Sequence, residues 1–126
     1  MKILGIDYGS KRVGLAISDE SLTLARELLI VSPKEFWEQI EDLVDNETIT
    51  RIIIGLPLNM SGEQTETTRL VQEFADSLEA KLNIPVEYMD ERLSSVMAEN
   101  LPGGKKNVDS LAAQIILQNY LDKIKE

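Results

Sequence analysis

The chain has 126 residues, a length typical of one domain of roughly 100–150 residues, and its 43% hydrophobic fraction is enough for a packed core. It contains no cysteine and no histidine, which excludes disulfides, thiolate and imidazole metal sites and the Ser-His-Asp triad. Any bound metal must therefore be held by oxygen ligands, which favour magnesium, manganese or calcium. The formal net charge of −9 by itself argues against a strongly basic nucleic-acid-binding protein.

Neither a secretion signal nor a membrane span is predicted. The N-terminus, MKILGIDYG, lacks the basic start and the long apolar run of a signal peptide. No stretch reaches the ~18 apolar residues that a membrane-spanning helix needs. We therefore expect a soluble cytoplasmic protein that forms one domain over residues 1–126 and has no membrane partner.

Three strands are predicted at the start of the chain, over residues 3–7, 12–18 and 22–31. The polar residues 19–21 separate the second strand from the third, a pattern typical of an antiparallel hairpin. These three strands follow one another without a helix between them, so they are expected to pair side by side.

The first helix is predicted to begin after Ser32, which can cap it, with Pro33 at the first helical position and Glu35 three residues after the cap. One face of this helix is apolar and carries, at helical spacing, Phe36, Trp37, Ile40, Leu43 and Val44. The opposite face is acidic, because residues 35–50 contain six acids and no base. That acidic face is distant in sequence from every candidate site residue.

A fourth strand, which like the first is expected to be buried, is predicted over residues 51–56. Ser61 and Gln64 after it have the spacing of a capping box, which predicts that a helix opens there. The apolar side of that helix is predicted to carry Leu70, Val71, Phe74, Leu78 and Leu82.

A last strand is predicted over residues 85–90, followed by a short helix at about 94–100, a Gly-Gly-Lys-Lys loop and a final helix at about 108–124. The order is therefore three strands, then helices that alternate with single strands. This order predicts an α/β fold with a mixed sheet, antiparallel first and parallel later, with helices on both faces.

The first candidate functional motif is GIDYGS at residues 5–10, in which Asp7 ends the first strand. Open α/β sheets bind ligands at the carboxyl ends of their strands, and Gly9 allows a sharp turn or a close approach to a ligand. The alternative is a turn in which the aspartate bonds only its own backbone. The apolar strand residues that precede Asp7 favour the functional interpretation.

The second candidate motif is GLPLNMSG at residues 55–62, where a strand ends and a loop leads into a helix. The free N–H groups of a helix N-terminus can bind phosphate. A well-capped connection between strand and helix explains the same spacing, and we favour that simpler interpretation.

Two adjacent acids, Asp90 and Glu91, end the last strand beside Arg92. Neighbouring side chains of a strand point to opposite faces, so only one of these acids can face a given site. The strand is apolar on both faces, so periodicity does not decide between them, and a solvated loop is the alternative.

Asp109 lies in the first turn of the final helix. A carboxylate there interacts favourably with the helix dipole, a gain of about 0.3–1 kcal/mol. Asp109 also shares a helical face with Ala112, Ala113, Ile116 and Tyr120. An acid on an apolar face needs a partner such as a metal ion or a cation.

These motifs together supply three acidic positions, namely Asp7, one of the pair Asp90 and Glu91, and Asp109. Separate carboxylates are the ligands of magnesium and manganese sites, in which two ions roughly 4 Å apart activate water for phosphodiester cleavage. Because the chain has neither histidine nor cysteine, metal-activated water is the chemistry we expect.

Four ordered blocks, GIDYGSKRVGLAISD, GLPLNMSG, DERLSS and KKNVDSLAAQIIL, resemble the signature of the YqgF/RuvX family and span residues 5–117. This family belongs to the ribonuclease H-like superfamily, and its members are described as Holliday junction resolvases and pre-16S ribosomal RNA nucleases. The resemblance implies a ribonuclease H-like fold with a five-stranded mixed sheet. It also implies that Asp7 is the central metal ligand, that Asp90 or Glu91 is the second, and that Asp109 closes the site.

The resemblance therefore predicts a hydrolase, a metal-dependent endonuclease that uses Mg²⁺ or Mn²⁺, with two ions expected. Its expected role is the processing of the 5′ end of precursor 16S rRNA in ribosome biogenesis. The alternative is a Holliday junction resolvase that cuts branched DNA. Arg92 would orient the carboxylates, and phosphates would be contacted by Lys11, Arg12, Lys105 and Lys106. Because these bases lie beside the motifs, the net charge does not exclude a nucleic-acid partner.

Two other functions fit parts of the sequence. A non-catalytic nucleic-acid-binding module of the same fold is one, although all three acidic positions are present. Binding of ATP phosphates, as in the actin-like ATPases with their Asp-x-Gly-Thr/Ser turn, is the other, but the chain is too short for a second lobe. The sequence is compatible with a monomer and with a homodimer, and a junction resolvase needs two sites for its symmetric cuts.

Overall fold

The computed structural model of the chain describes residues 1–90 and 108–125. In these residues one sheet is formed by β1 (Lys2–Tyr8), β2 (Val13–Ser18), β3 (Ala25–Val31), β4 (Ile49–Leu56) and β5 (Val86–Asp90). The helices are α1 (Pro33–Glu47), α2 (Glu66–Leu82) and α3 (Val108–Ile124). The short helix predicted at 94–100 and the Gly-Gly-Lys-Lys loop lie outside the described residues.

The strand order across the sheet is β3-β2-β1-β4-β5. The pairs β1/β2 and β2/β3 are antiparallel, whereas β1/β4 and β4/β5 are parallel. This confirms the predicted five-stranded mixed sheet. Strand β1 is central and adjoins both halves, so its carboxyl end lies between the β1–β2 turn and the carboxyl end of β4.

Helices cover both faces of the sheet, as predicted. On the α1/α2 face, Leu4 and Ile6 of β1 are buried against apolar side chains of α1 and α2. On the α3 face, Ile3 of β1 is buried against Leu117 and Leu121 of α3. Alternation along β1 therefore assigns even-numbered residues to the α1/α2 face and odd-numbered residues to the α3 face.

Helix α1 begins as its sequence predicts. The Ser32 hydroxyl accepts a hydrogen bond from the Glu35 N–H at 3.1 Å, and the Glu35 carboxylate accepts one from the Ser32 N–H at 3.0 Å. This reciprocal pair is a capping box. Its hydrogen bonds, first the one from the Ser32 backbone, lower the pKa of Glu35 because they favour the ionised carboxylate.

The predicted start of the next helix at Ser61 and Gln64 is wrong. Helix α2 is capped by Thr65, whose N–H donates to the Thr68 hydroxyl oxygen at 2.9 Å, and Thr68 also donates to the carbonyl of Pro57. Ser61 is instead held in a turn, because the side-chain oxygen of Asn59 accepts a hydrogen bond from the Ser61 N–H at 3.0 Å. The hydrogen bond to the Asn59 side chain therefore places Ser61 in a turn, so that Ser61 does not cap a helix as its spacing to Gln64 suggested.

Two smaller predictions also need correction. The third strand begins at Ala25 and not at residue 22, because the Asp19 carboxylate accepts hydrogen bonds from the N–H groups of Thr23 and Leu24 and closes a turn there. Leu70, predicted on the apolar side of α2, is 50% exposed.

Candidate active site at the carboxyl end of β1

Asp7 lies near the end of the central strand and is partly buried. Asp7 is odd-numbered like Ile3, so the alternation of side chains along β1 assigns it to the α3 face of the sheet. Its partner in the antiparallel register is Gly14 of β2, which has no side chain. The carboxylate therefore stands beside a position that carries no side chain on the same face of the sheet.

Helix α3 touches the backbone of β1 two residues before Asp7. A Cβ atom built on Gly5 would lie 2.7 Å from the Cβ of Leu117 and 3.1 Å from the carbonyl oxygen of Ala113. Only glycine permits such an approach, because the helix occupies the volume that any larger side chain would need. Gly5 therefore sets the distance between α3 and the strand that carries Asp7.

The direction of α3 brings its N-terminus to the same edge of the sheet as Asp7. Ala113 lies beside Gly5, whereas Tyr120 bonds to Arg51, a residue level with Ile3 near the start of β1. From Gly5 to Asp7 the strand rises about 6.6 Å. From Ala113 back to Asp109 the helix rises about 6 Å. The backbone of Asp109 therefore lies at the level of Asp7; its side chain is outside the described part of the structure.

Asp90 lies at the same edge of the sheet as Asp7 but on the other face. Glu87 accepts a hydrogen bond from Tyr120 of α3 and Met89 packs against the α3 core, so alternation assigns Asp90 to the α1/α2 face. Tyr88 agrees with this assignment: burial raises its pKa, and the α2 carboxylates near it add to the shift. Asp90 is exposed and lies two strands from β1, about 10 Å away.

The other acid of that pair, Glu91, lies outside the described residues, as do Arg92, Lys105 and Lys106. Among the acidic side chains that the structure describes, which exclude that of Asp109, no three form a cluster that could hold a metal ion. Of the predicted ligands, the structure therefore describes Asp7, the backbone of Asp109, and Asp90, which lies on the opposite face of the sheet.

Two of the predicted phosphate contacts, Lys11 and Arg12, are exposed in the turn between β1 and β2. The Gly9 N–H donates a hydrogen bond to the Arg12 carbonyl at 2.9 Å, which closes the turn. A Cβ atom on Gly9 would lie 2.9 Å from that carbonyl oxygen, so this turn also depends on a glycine. The turn keeps both bases at the same edge of the sheet as Asp7.

The loop after β4 adjoins this edge and is held by Asn59. Its side-chain oxygen accepts a hydrogen bond from the Glu63 N–H at 2.9 Å, and its own N–H donates to the Glu63 carbonyl at 3.0 Å. The N–H of Thr68, in the first turn of α2, donates to the hydroxyl of Thr65. The simpler interpretation of this motif, a capped connection between strand and helix, is therefore supported.

Sequence reasoning missed the contributions of Gly5 and Asn59. An isolated glycine inside a strand is a signal of close backbone approach, and Gly5 in the run ILGID carries that signal. An asparagine followed by Ser-Gly two residues later is a signal of a side-chain-bonded turn. Both signals were present in the sequence, but neither identified the segment of the chain that Gly5 or Asn59 contacts.

A model of the family described as RuvX: Holliday junction resolvase matches residues 1–123. The chain belongs to this family. Among similar proteins, one from Maridesulfovibrio salexigens is 43% identical over 96% of this chain and 98% of its own length. Another, from Chloroflexus aurantiacus, is 41% identical over 95% of this chain and 86% of its own length. Both carry the name "Putative pre-16S rRNA nuclease".

Solved structures show the same fold at low sequence identity. RuvC of T. thermophilus in complex with a Holliday junction substrate aligns with a TM-score of 0.69 at 14% identity, over 99% of this chain and 95% of RuvC. The resolvase of Fowlpox virus in complex with junction DNA aligns with a TM-score of 0.56 at 13% identity, over the whole of both chains. These likenesses establish the fold alone.

The comparisons confirm the family and the fold that the four sequence blocks predicted. They also confirm the enzyme class, since the family description and the names of the relatives denote nucleases, which hydrolyse phosphodiester bonds. In the two described stretches of the chain, no helix is both long and apolar enough to cross a membrane.

Proposed function

We propose that this member of the RuvX family is a metal-dependent endonuclease whose active site lies at the carboxyl end of β1, on the α3 face. The contact of Gly5 with Ala113 and Leu117 carries this proposal, because it holds the first turn of α3 at the level of Asp7. Two acidic residues from distant parts of the chain, Asp7 and Asp109, thereby come to one edge of one sheet face.

The donor set fits magnesium or manganese. Carboxylate oxygens are the ligands that these ions prefer, and the chain contains no histidine or cysteine that would favour a softer metal. We propose Asp7, Glu91 and Asp109 as the ligands of two ions. Of the adjacent acids we prefer Glu91 to Asp90, because the alternation of β5 assigns Asp90 to the face opposite Asp7.

When bound there, Mg²⁺ or Mn²⁺ supplies the activation of water and the stabilisation of charge on the leaving oxygen. The protein contributes the placement of the reacting groups. Asp7, on the central strand, stands next to Gly14, which has no side chain that would block the approach of a phosphate to the carboxylate along this face. Lys11 and Arg12 at the adjoining turn would neutralise neighbouring phosphates, as would Lys105 and Lys106, and Arg92 would orient the carboxylates.

The proposed substrate is the 5′ end of precursor 16S rRNA, which implies a role in ribosome biogenesis in the cytoplasm. The names of the relatives that are 43% and 41% identical to this chain support that substrate. The family description supports the second candidate, resolution of Holliday junctions. The two candidates differ in symmetry, because paired cuts in a four-way junction require two sites and therefore a homodimer.

The experiment that tests the site compares Asp7→Asn with the unaltered protein on precursor 16S rRNA and on branched DNA, each with Mg²⁺ or Mn²⁺. Cleavage by Asp7→Asn is expected to fall by about a hundredfold or more, because a lost ligand removes several kcal/mol of charge stabilisation. The matched control is Asp45→Asn, an exposed acid on α1. Unchanged cleavage by Asp7→Asn would exclude this active site.

A further inference from the structure

A pocket of about 500 Å³ opens on the α1/α2 face, beside the turn between β1 and β2. Its volume falls within the range of about 300–1,000 Å³ that is typical of small-ligand sites. The pocket is lined by aromatic, apolar and polar side chains that include Tyr8, Trp37, Leu70, Glu73, Phe74 and Ser77. We refer to it as the aromatic pocket.

The rings of the aromatic pocket are already ordered against one another. Tyr8 and Phe74 stack with their centroids 4.0 Å apart and their planes 17° apart. Trp37 meets the same Phe74 ring edge-on at 5.5 Å and 64°. Tyr8 and Trp37 are only partly buried, so their rings reach the pocket without further rearrangement. A wall of this kind is suited to a flat aromatic ligand.

The aromatic pocket adjoins the proposed active site across the sheet edge. Tyr8 directly follows Asp7 in β1, so their Cα atoms are about 3.8 Å apart and their side chains lie on opposite faces of the sheet. A nucleic-acid strand that crosses the sheet edge at Asp7 can therefore place a phosphate on one face. The base of an adjoining nucleotide can then enter the pocket on the other face.

Charge indicates which part of a nucleotide fits. The lining residues that the structure describes include one acid, Glu73, and no base. The ammonium of Lys81 lies 5.9 Å from the centre of the Trp37 ring, but it is paired with the carboxylate of Glu41 at 3.1 Å, so the pocket does not suit a phosphate. A neutral base with N–H groups suits it, because a carboxylate can accept hydrogen bonds from a base edge. Lys11 and Arg12 are exposed in the adjoining turn, outside the pocket, where the phosphates of that nucleotide would lie.

We propose that the aromatic pocket binds one unpaired base of the substrate strand, next to the nucleotide that is cut. This inference rests on the proposed nuclease function and adds a requirement to it. The substrate must offer an unstacked base within one or two nucleotides of the scissile phosphate, as a single-stranded end or a branch point does.

Trp37 is the single tryptophan of the chain, so its fluorescence can report binding in the aromatic pocket. Its fluorescence is measured during titration with a short single-stranded RNA, with the same RNA carrying one abasic nucleotide, and with its duplex, all without divalent ions. Ser77→Phe is expected to fill the pocket, whereas Ala80→Phe places the same ring on an exposed position of α2 outside it. We expect saturable quenching by the single strand that Ser77→Phe weakens about tenfold or more and Ala80→Phe leaves unchanged.

Equal quenching by the single strand and the duplex, or equal affinity of the two phenylalanine variants, would overturn the proposal. Tyr8→Leu, which removes one stacking ring but keeps an apolar side chain, serves the same purpose if Ser77→Phe does not fold. A change in the solution mass of the free protein caused by Ser77→Phe would mean that the pocket binds a second copy of the chain, which would also overturn it.

Asp7→Asn separates this inference from the proposed function. The variant is expected to quench normally and to cleave poorly. Normal quenching by an unaltered protein that cleaves neither precursor rRNA nor branched DNA would support the pocket and contradict the nuclease function. Metal-dependent cleavage with no base-dependent quenching would do the reverse.

Discussion

Gly5 and Leu117 are in contact so close that a single added methyl group would separate them: a Cβ on Gly5 would lie 2.7 Å from the Cβ of Leu117. The contact joins the strand that carries Asp7 to the helix that carries Asp109. The relative placement of two proposed metal ligands therefore depends on a residue that binds no metal itself.

Gly5→Ala is expected to shift α3 away from β1. Because both Leu117 and the backbone of Ala113 block the added methyl group, the free energy of unfolding should fall by about 1–3 kcal/mol. We also expect kcat to fall more than substrate affinity, since the carboxylates lose their mutual placement while the phosphate contacts remain. Urea unfolding and steady-state cleavage kinetics measure the two effects.

The control for Gly5→Ala is Ile116→Val, which should cost about 0.5–1.5 kcal/mol of stability in the same core without pressing on β1. Ile116 is buried on the α3 face. If Ile116→Val reduced kcat as strongly as Gly5→Ala, the effect would be one of stability and the positioning role of Gly5 would be wrong.

Divalent metal is expected to stabilise the folded protein through Asp7. A ligand that binds only the native state raises stability by about 2.7 kcal/mol at a hundred times its Kd. The thermal midpoint should therefore rise with Mg²⁺ or Mn²⁺ in the unaltered protein and in Asp45→Asn, but much less in Asp7→Asn. A calorimetric titration without metal binding would instead favour a non-catalytic module of this fold.

Tyr120 links α3 to strands β4 and β5. Arg51 donates a hydrogen bond to its hydroxyl at 2.7 Å, and that hydroxyl donates to the Glu87 carboxylate at 3.0 Å. Tyr120→Phe should lower the free energy of unfolding by about 0.5–1.5 kcal/mol, because both hydrogen bonds are lost while the ring still fills its place. No change in urea unfolding would show that solvent replaces these bonds at no cost.

The same tyrosine should make stability sensitive to alkaline pH. Burial raises the pKa of Tyr120, the bond from Arg51 opposes the shift, and the bond to Glu87 adds to it. Since the folded-state pKa is the higher one, the contribution is complete below the ordinary value of 10.0 and is lost as the pH rises through the folded-state pKa. Between pH 10.0 and the folded-state pKa, the free energy of unfolding should therefore depend less on pH in Tyr120→Phe than in the unaltered protein.

Thr68 is fully buried and joins the start of α2 to the loop after β4. Its hydroxyl donates to the Pro57 carbonyl and accepts from the Thr65 N–H. Thr68→Val keeps the shape but leaves these groups unpaired, which should cost about 1–3 kcal/mol. Thr67→Val, at an exposed neighbouring position, should cost little. Equal losses in the two variants would contradict the proposed role of the Thr68 hydroxyl.

Much of the fold could be predicted because its signals are local. The capping box at Ser32 and Glu35, the apolar face of α1 and the bounds of the last helix each depend on residues within a few positions of one another. The start of α2 could not be predicted in this way. Ser61 and Gln64 have the spacing of a cap, but the hydrogen bonds of Asn59 and the long-range bond from Thr68 to Pro57 moved the helix start to Glu66.

The same distinction between local signals and long-range contacts applies to the candidate site. Residue types were enough to predict carboxylate ligands, since the chain has neither histidine nor cysteine and carries acids at the ends of its strands. Which of these acids can meet depends on the packing of distant segments. The alternation of β5 against α3 separates Asp90 from Asp7, and the close contact at Gly5 brings the N-terminus of α3 to Asp7. The physical reason is that residue types set what a side chain can bind, whereas packing between distant segments sets which side chains share a face.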